Sequence, residues 1–374
     1  MREWRDKSYW LGADEYQPNS PLGEDLETDI CIIGGGFTGL SSAYYIKKKK
    51  PELDIALIEA EVVGYGASGR NGGFSMPLLG WNISYLVWAF GVERAKPAHH
   101  FMLSCVRRTK ELVENENIDC DLEYNGLLVL ARTSRQMKAL ETDYKNFQRV
   151  GAGDVQLLDK AQLKDRLNSA WHIGALYEPE CAILNPAKLA RGMKKVVERM
   201  GVKVYEHTPC QKFDPGKEII VHTPNGRIKC NYLVVATNAF TVRLRVNRNF
   251  YVPMFTYIIL TEPLDDKHYQ ELGWVRREGI EDKRQLVHYL RLTKDNRLLF
   301  GGRDAPYYFG NRLEGRDRHE KIFQGLWNDM TGMFPYLKDV KITHRWGGPV
   351  AITLFFVPRF GYFQNHKNIV YGMG

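Results

Sequence analysis

Asp29-Ile30-Cys31-Ile32-Ile33-Gly34-Gly35-Gly36-Phe37-Thr38-Gly39 is the stretch that decides the fold. Ile30 to Ile33 form a continuous apolar run that ends in glycines, the pattern of a strand buried on both faces of a parallel sheet. From Thr38 to Lys49, Leu40, Ala43, Tyr44 and Ile46 recur at helical spacing, and Pro51 closes the segment. Ile55-Ala56-Leu57-Ile58 predicts a second buried strand, ending at Glu59. Together these make one β-α-β crossover in roughly 30 residues, the size a parallel connection requires.

The glycines have separate tasks. In G-x-G-x-x-G, Gly34 permits the tight turn, Gly36 lets a pyrophosphate approach the backbone, and Gly39 lets helix and strand pack closely. Gly35, Phe37 and Thr38 complete the turn, whose free N–H groups at the helix start face phosphate. Glu59 lies 20 residues beyond Gly39, where a carboxylate accepts from ribose hydroxyls, with Ala60 beside it. This fingerprint does not separate NAD from FAD. A second segment, Gly64-Tyr65-Gly66-Ala67-Ser68-Gly69-Arg70-Asn71-Gly72-Gly73, carries five glycines in ten residues. Such a backbone can run close beneath a flat ring and supply N–H donors. An NAD-dependent dehydrogenase explains Gly34 to Glu59 but leaves this second segment without a purpose.

The chain has 374 residues, a net charge of +8, 44% hydrophobic and 26% charged residues. This is ordinary globular composition, which excludes disordered, collagen-like and small disulfide-stapled classes. No window approaches the roughly 18 apolar residues of a membrane span. Residues 1–26 read as a polar leader without a secretory h-region, and six scattered cysteines without a C-x-x-C pair fit a reduced, cytoplasmic protein. The positive charge is dispersed, no nucleic-acid module is visible, and the run Lys47 to Lys50 reads as a solvated helix end. His99-His100 lacks partners at ligand spacing, so no metal is expected.

Further along, a long helix is predicted over 82–117, a strand over 126–131, and a helix over 186–200 with Asn185 as cap and Pro186 in its first turn. Strands follow at 202–205, 218–222 and 232–236, with a Pro-Asn-Gly turn between the last two, then at 256–261 and 297–301. The fold expected is α/β: a Rossmann-like, parallel-sheet dinucleotide-binding domain (27–118, 186–245 and 343–374) interleaved with a mixed antiparallel-sheet substrate domain (119–185 and 246–342).

With these pieces in place, the chain resembles the FAD-dependent amine and amino-acid oxidoreductases of the D-amino-acid oxidase and glycine oxidase superfamily. The nearest look is to gamma-glutamylputrescine oxidoreductase-like and aminophosphonate oxidoreductase-like proteins. The resemblance runs from about Ser8 onward. It includes Ala182-Ile183-Leu184-Asn185-Pro186-Ala187-Lys188-Leu189-Ala190, Val234-Val235-Ala236-Thr237-Asn238-Ala239, Leu260-Thr261-Glu262-Pro263-Leu264 and Arg345-Trp346-Gly347-Gly348-Pro349. It implies that Gly34, Gly36 and Gly39 hold the FAD pyrophosphate and Glu59 the adenosine ribose. Ser68, Arg70, Asn71 and Gly72 are implied along the pyrophosphate and isoalloxazine, with Gly73 also in the cofactor set, Cys210 meets adenine through its backbone, and Ala236 and Thr237 pass the adenosine half. Phe355 stands where the family has an acid or amide. The family also continues past Tyr371-Gly372-Met373-Gly374 with a glycine- and histidine-containing turn and a closing helix that stabilises charge on the reduced flavin. The expectation is therefore a truncated chain that binds FAD weakly or turns over poorly.

The chemistry implied is oxidation of a C–N bond by hydride transfer to flavin N5. The resulting imine is hydrolysed, and electrons pass to oxygen, giving hydrogen peroxide, or to another acceptor. The substrate is a small amine or amino acid, possibly anionic. Arg303 and Arg345 are candidate carboxylate or phosphonate clamps, and Tyr257 and Tyr307 candidate pocket walls. His288 and His344 read as core or surface histidines, so no catalytic base is assigned. A third reading is a flavin-binding remnant without activity.

Overall fold

The apolar runs at 30–33 and 55–58 lie as neighbouring parallel strands, Leu26–Ile33 and Ile55–Ile58, with Cys31 opposite Ala56. They belong to a computed structural model that describes residues 3–246 and 248–374. Helix Phe37–Lys49 makes the crossover. The sheet is extended by Lys203–Tyr205 on one side and by Gly226–Val235 and His366–Met373 on the other, all parallel, and Arg359–Phe363 pairs antiparallel at the edge. Strand Gly226–Val235 begins at the Pro-Asn-Gly turn rather than at Tyr232, because it hairpins directly onto Ile219–Thr223. Apolar clusters cover both faces, which is why its strands read as continuous hydrophobic runs.

A second eight-stranded sheet is antiparallel except where Gly279–Asp282 runs parallel to Leu127–Ala131. Tyr251–Pro263, Arg297–Gly302 and His288–Leu292 are consecutive strands in it. One face packs on helix Glu320–Met333 around Phe255, Tyr257, Phe300, Phe323 and Leu326. The opposite face meets the first sheet's loops through Ile258, Leu260, Leu299 and Trp346. Strand Ile342–Thr353, expected with the dinucleotide-binding sheet, pairs along Tyr251–Pro263 instead; only at Arg359 does the chain enter the first sheet.

Three local expectations are corrected. The helix predicted over 82–117 is two helices, Ile83–Phe90 and Val92–Asn115, broken at Gly91, whose φ of 76° ends the first turn register. Lys47 is not solvated: it is buried and donates to the carbonyls of Pro51 and Leu53, closing the helix end onto the next turn. The N-terminal segment is not a polar leader. Trp4, Trp10, Leu11, Tyr16 and Leu22 are buried, and Trp4 to Tyr16 pack between the two sheets' loops beside Val62, Ala187 and Trp346. Helix Pro186–Arg199 is as expected, with Asn185 accepting from the Lys188 amide.

Candidate functional site

The strand-to-helix turn is built for close approach. Gly34 has φ +115°, and a Cβ there would stand 2.5 Å from the Ala236 carbonyl oxygen; a Cβ on Gly39 would stand 1.9 Å from that of Gly34. Only glycine fits either position. The Gly35 amide turns inward and donates to Glu59 at 2.7 Å, and the Glu61 amide donates to the other carboxylate oxygen at 3.1 Å. Burial pushes Glu59 up to about 7 against the pull of these two amides.

A cavity opens over this turn. It is walled by Gly34, Gly36, Phe37, Thr38, Glu59, Ala60, Ser68, Cys210, Ala236 and Thr237, all anticipated from the sequence. Its shape follows the sheet's C-terminal edge, where an open parallel sheet offers helix N-termini to a ligand. Gly35, Gly39 and Gly73 shape the walls without lining it: Gly35 faces Glu59, Gly39 packs under Gly34, and the Gly73 carbonyl accepts from Leu184.

The second glycine-rich segment stands between this cavity and another. Ser68 Oγ accepts from the Phe37 amide at 3.0 Å, tying the segment to the helix start. Asn71 wraps the loop, donating to the Ala67 and Ser68 carbonyls and accepting from the Gly73 amide at 2.7 Å. Three successive carbonyls are held from outside the loop. Gly69 accepts from Ser8 Oγ at 2.7 Å, Arg70 from Trp346 Nε1 at 2.8 Å, and Asn71 from Trp10 Nε1 at 2.9 Å. Buried Arg70 lies over the Tyr65 ring and donates to that residue's carbonyl.

The second cavity, walled by Ala67, Arg70, Asn71, Gly72, Phe74, Thr256, Glu281, Tyr289 and Gly348, shares Ala67 and Pro349 with the first. The loop therefore separates a long groove along the parallel sheet from a chamber under the second sheet. This divided space has room for an elongated ligand along the groove, with the chamber beside it.

A family model described as FAD dependent oxidoreductase matches residues 29–374. The chain belongs to this family. Gamma-glutamylputrescine oxidoreductase of Escherichia coli (strain K12) is 31% identical over 100% of this chain and 85% of its own length. A probable oxidoreductase, OrdL, of Haemophilus influenzae is 29% identical over 94% and 80%. Among solved structures, glycine oxidase from Geobacillus kaustophilus superposes with a TM-score of 0.75 at 20% identity, covering 93% of this chain and 89% of that one. An L-alpha-glycerophosphate oxidase from Mycoplasma pneumoniae with FAD bound superposes with a TM-score of 0.71 at 13% identity over 93% and 89%. The protein is thus an FAD-dependent oxidoreductase, and the NAD-dependent reading is set aside.

The four substrate-contact candidates lie away from the chamber. Tyr257 is fully buried on the helix-covered face and bonds to Tyr308 Oη and the Arg316 carbonyl; strand alternation turns its neighbour Thr256 to the chamber instead. Tyr307 is exposed and bonds to Asn311. Arg303 is paired with Asp329 and Asp304, and Arg345 with Glu320 on the outer surface. His288, fully buried, bridges Asp282 at 2.6 Å and Asp329 at 3.0 Å; His344 is exposed beside Thr343. Phe355 is exposed, and its carbonyl accepts from Trp81. Sequence reasoning missed Ser8, Trp10, Phe74, Thr256, Glu281 and Tyr289. Trp10 alone carried a signal, a tryptophan in a segment otherwise read as polar.

Proposed function

We propose that this oxidoreductase oxidises the C–N bond of an amine or amino acid. The observation that carries this reading is the chamber that adjoins the dinucleotide groove, with Ala67 and Pro349 in the walls of both and Phe74 and Tyr289 across it. The similarity to gamma-glutamylputrescine oxidoreductase and to glycine oxidase supports the same substrate class. In this reading Gly34, Gly36 and Gly39 shape the pyrophosphate seat, Glu59 takes the ribose, Cys210, Ala236 and Thr237 face the adenosine half, and Ser68, Arg70, Asn71 and Gly72 flank the ring. The first sheet with its helices forms the cofactor-binding domain and the second sheet the substrate domain.

FAD held by these residues would supply a two-electron acceptor for the hydride of the carbon next to nitrogen; the imine so formed would be hydrolysed by water, and oxygen or another acceptor would take up the electrons. The chain's own work is positioning and exclusion of water. The loop from Ala67 to Gly73, held at three carbonyls, fixes one wall of the chamber. The second sheet supplies the other through Thr256 and Tyr289. The six free cysteines favour a reducing compartment, and we place the protein in the cytoplasm.

The test is the purified protein reconstituted with FAD and mixed anaerobically with a panel of amines and amino acids. Bleaching of the flavin band, and peroxide formation on admitting oxygen, are expected. A protein that holds FAD and is bleached by none of them defeats the reading.

A further inference from the structure

The face of the second sheet that looks into the chamber carries an acid where an anion-binding site needs a base. Glu281 pairs across strands with Tyr289, and Tyr289 pairs with Gly301. Gly301 has no side chain, and a Cβ there would meet the Tyr289 ring at 2.4 Å; one on Gly279 would meet the Phe74 ring at 2.6 Å. The two rings therefore lie flat across bare backbone, edge to face with centroids 6.2 Å apart, and Glu281 shares the chamber with both.

Glu281 makes no hydrogen bond and no salt bridge among the described residues. Nor does Glu178, only 8% exposed, which stands two strands away on the same face, opposite Leu127 and Gly279. None of the cations nearby forms an ion pair with Glu281. Arg70 is held by Tyr65, Arg291 by the Leu184 carbonyl and the Trp10 ring, and Lys283 by Asp143. Burial raises Glu281 to about 7, with the charge of Asp282 adding and that of Lys283 opposing, and raises Glu178 to about 8, with the charge of Glu281 adding. A carboxylate kept from water without a partner is costly, and a ligand cation offsets that cost. Aromatic faces beside it favour the same charge. Arg303 and Arg345 are paired elsewhere, so neither offers a ligand carboxylate a clamp here, and Glu281 repels one.

We propose that Glu281, backed by Phe74 and Tyr289, holds a second, non-reacting cationic group of the substrate, so that the enzyme prefers a diamine-type cation to an amine bearing a carboxylate. This rests on the amine-oxidising reading above and names the substrate class of that same chamber.

The FAD-loaded full chain would be reduced anaerobically, above neutral pH, with putrescine, butylamine and γ-aminobutyrate. Putrescine is expected to be the best substrate and γ-aminobutyrate the worst. Glu281→Gln, nearly isosteric, should weaken the apparent Kd for putrescine about 30- to 100-fold while moving the limiting reduction rate, and both constants for butylamine, by less than about threefold. Glu281→Asp should restore part of the putrescine affinity. Calorimetry of putrescine binding to dithionite-reduced enzyme, where no turnover occurs, should show the same loss in Glu281→Gln and the same partial rescue in Glu281→Asp. Equal losses for putrescine and butylamine, no loss for either, or a preference for γ-aminobutyrate overturns the proposal while leaving amine oxidation standing. Failure of every amine to bleach the wild-type flavin overturns both.

Discussion

The Gly35 amide donates to the Glu59 carboxylate at 2.7 Å, so the phosphate turn and the end of the second strand are one rigid unit. The second Glu59 oxygen accepts from the Glu61 amide. Glu59→Ala frees both amides and removes the acceptor facing the groove. FAD affinity should fall about 10- to 100-fold, since a charge-assisted hydrogen bond to a buried site is lost with its partner. Quenching of FAD fluorescence on titration with the FAD-free chain measures this. An unchanged affinity would remove Glu59 from the cofactor seat.

The crossover was legible because it is local: an apolar run, a glycine turn, a helical period and an acid lie within Asp29 to Glu59. The chamber was not, for reasons that particular residues show. Tyr251–Pro263 is apolar on both faces, with Tyr257 buried among Phe255 and Ile259 and with Ile258 and Leu260 buried on the other side. Composition therefore cannot say which face Tyr257 takes, and a one-residue change of phase exchanges it with Thr256. Glu281 follows a single apolar residue in a four-residue strand, too short to show a period. The ties that fix the loop come from Ser8, Trp10 and Trp346, residues distant in sequence from Gly69, Arg70 and Asn71, and no local pattern announces such pairs.

Trp10 links the N-terminal segment to the glycine-rich loop at Asn71. It is 2% exposed, donates to the Asn71 carbonyl, and lies under the Arg291 guanidinium. Trp10→Ala should cost about 3–5 kcal/mol of stability, as other buried aromatic truncations do. The loop should also loosen, so FAD should be lost on dialysis faster than from the wild type. Thermal melts with and without FAD separate the two effects: the stabilisation conferred by FAD should shrink in the variant. Trp10→Phe keeps the packing, loses only the hydrogen bond, and should fall between them.

Arg303 tests the placement of the substrate site from the other side. Its guanidinium is taken by Asp329, which also bonds to buried His288. Arg303→Ala should leave kcat/KM for the best amine within about threefold of wild type, because no substrate contact is lost. It should lower stability by about 1–2 kcal/mol, a figure kept modest because the pair is partly open to solvent. A large rise in KM at unchanged stability would place the substrate against this residue after all.

Stability of the FAD-free chain should fall as pH rises from 6.5 to about 8. Burial raises Glu59 and Glu281 to about 7 and Glu178 to about 8, so each binds its proton more tightly folded than unfolded. Their contribution is full below the unfolded carboxyl value of 4.5 and is lost as pH climbs through the folded values. His99 and His172 act with the opposite sign. Burial lowers both to about 4, so their contribution is lost on acidification and still grows as the unfolded histidines deprotonate around 6.5. His288 is buried too, but Asp282 and Asp329 outweigh that burial and raise it, so its contribution is also lost at rising pH. Above 6.5 the three carboxyls and His288 pull downward and outweigh the remaining rise from His99 and His172, which fades by about pH 7.5. Melting temperatures of the FAD-free chain across this range should decline, and Glu178→Gln should flatten the decline by removing the group that titrates last. A flat or rising profile between pH 6.5 and 8 would mean that these carboxyls are solvated rather than walled in as the fold places them.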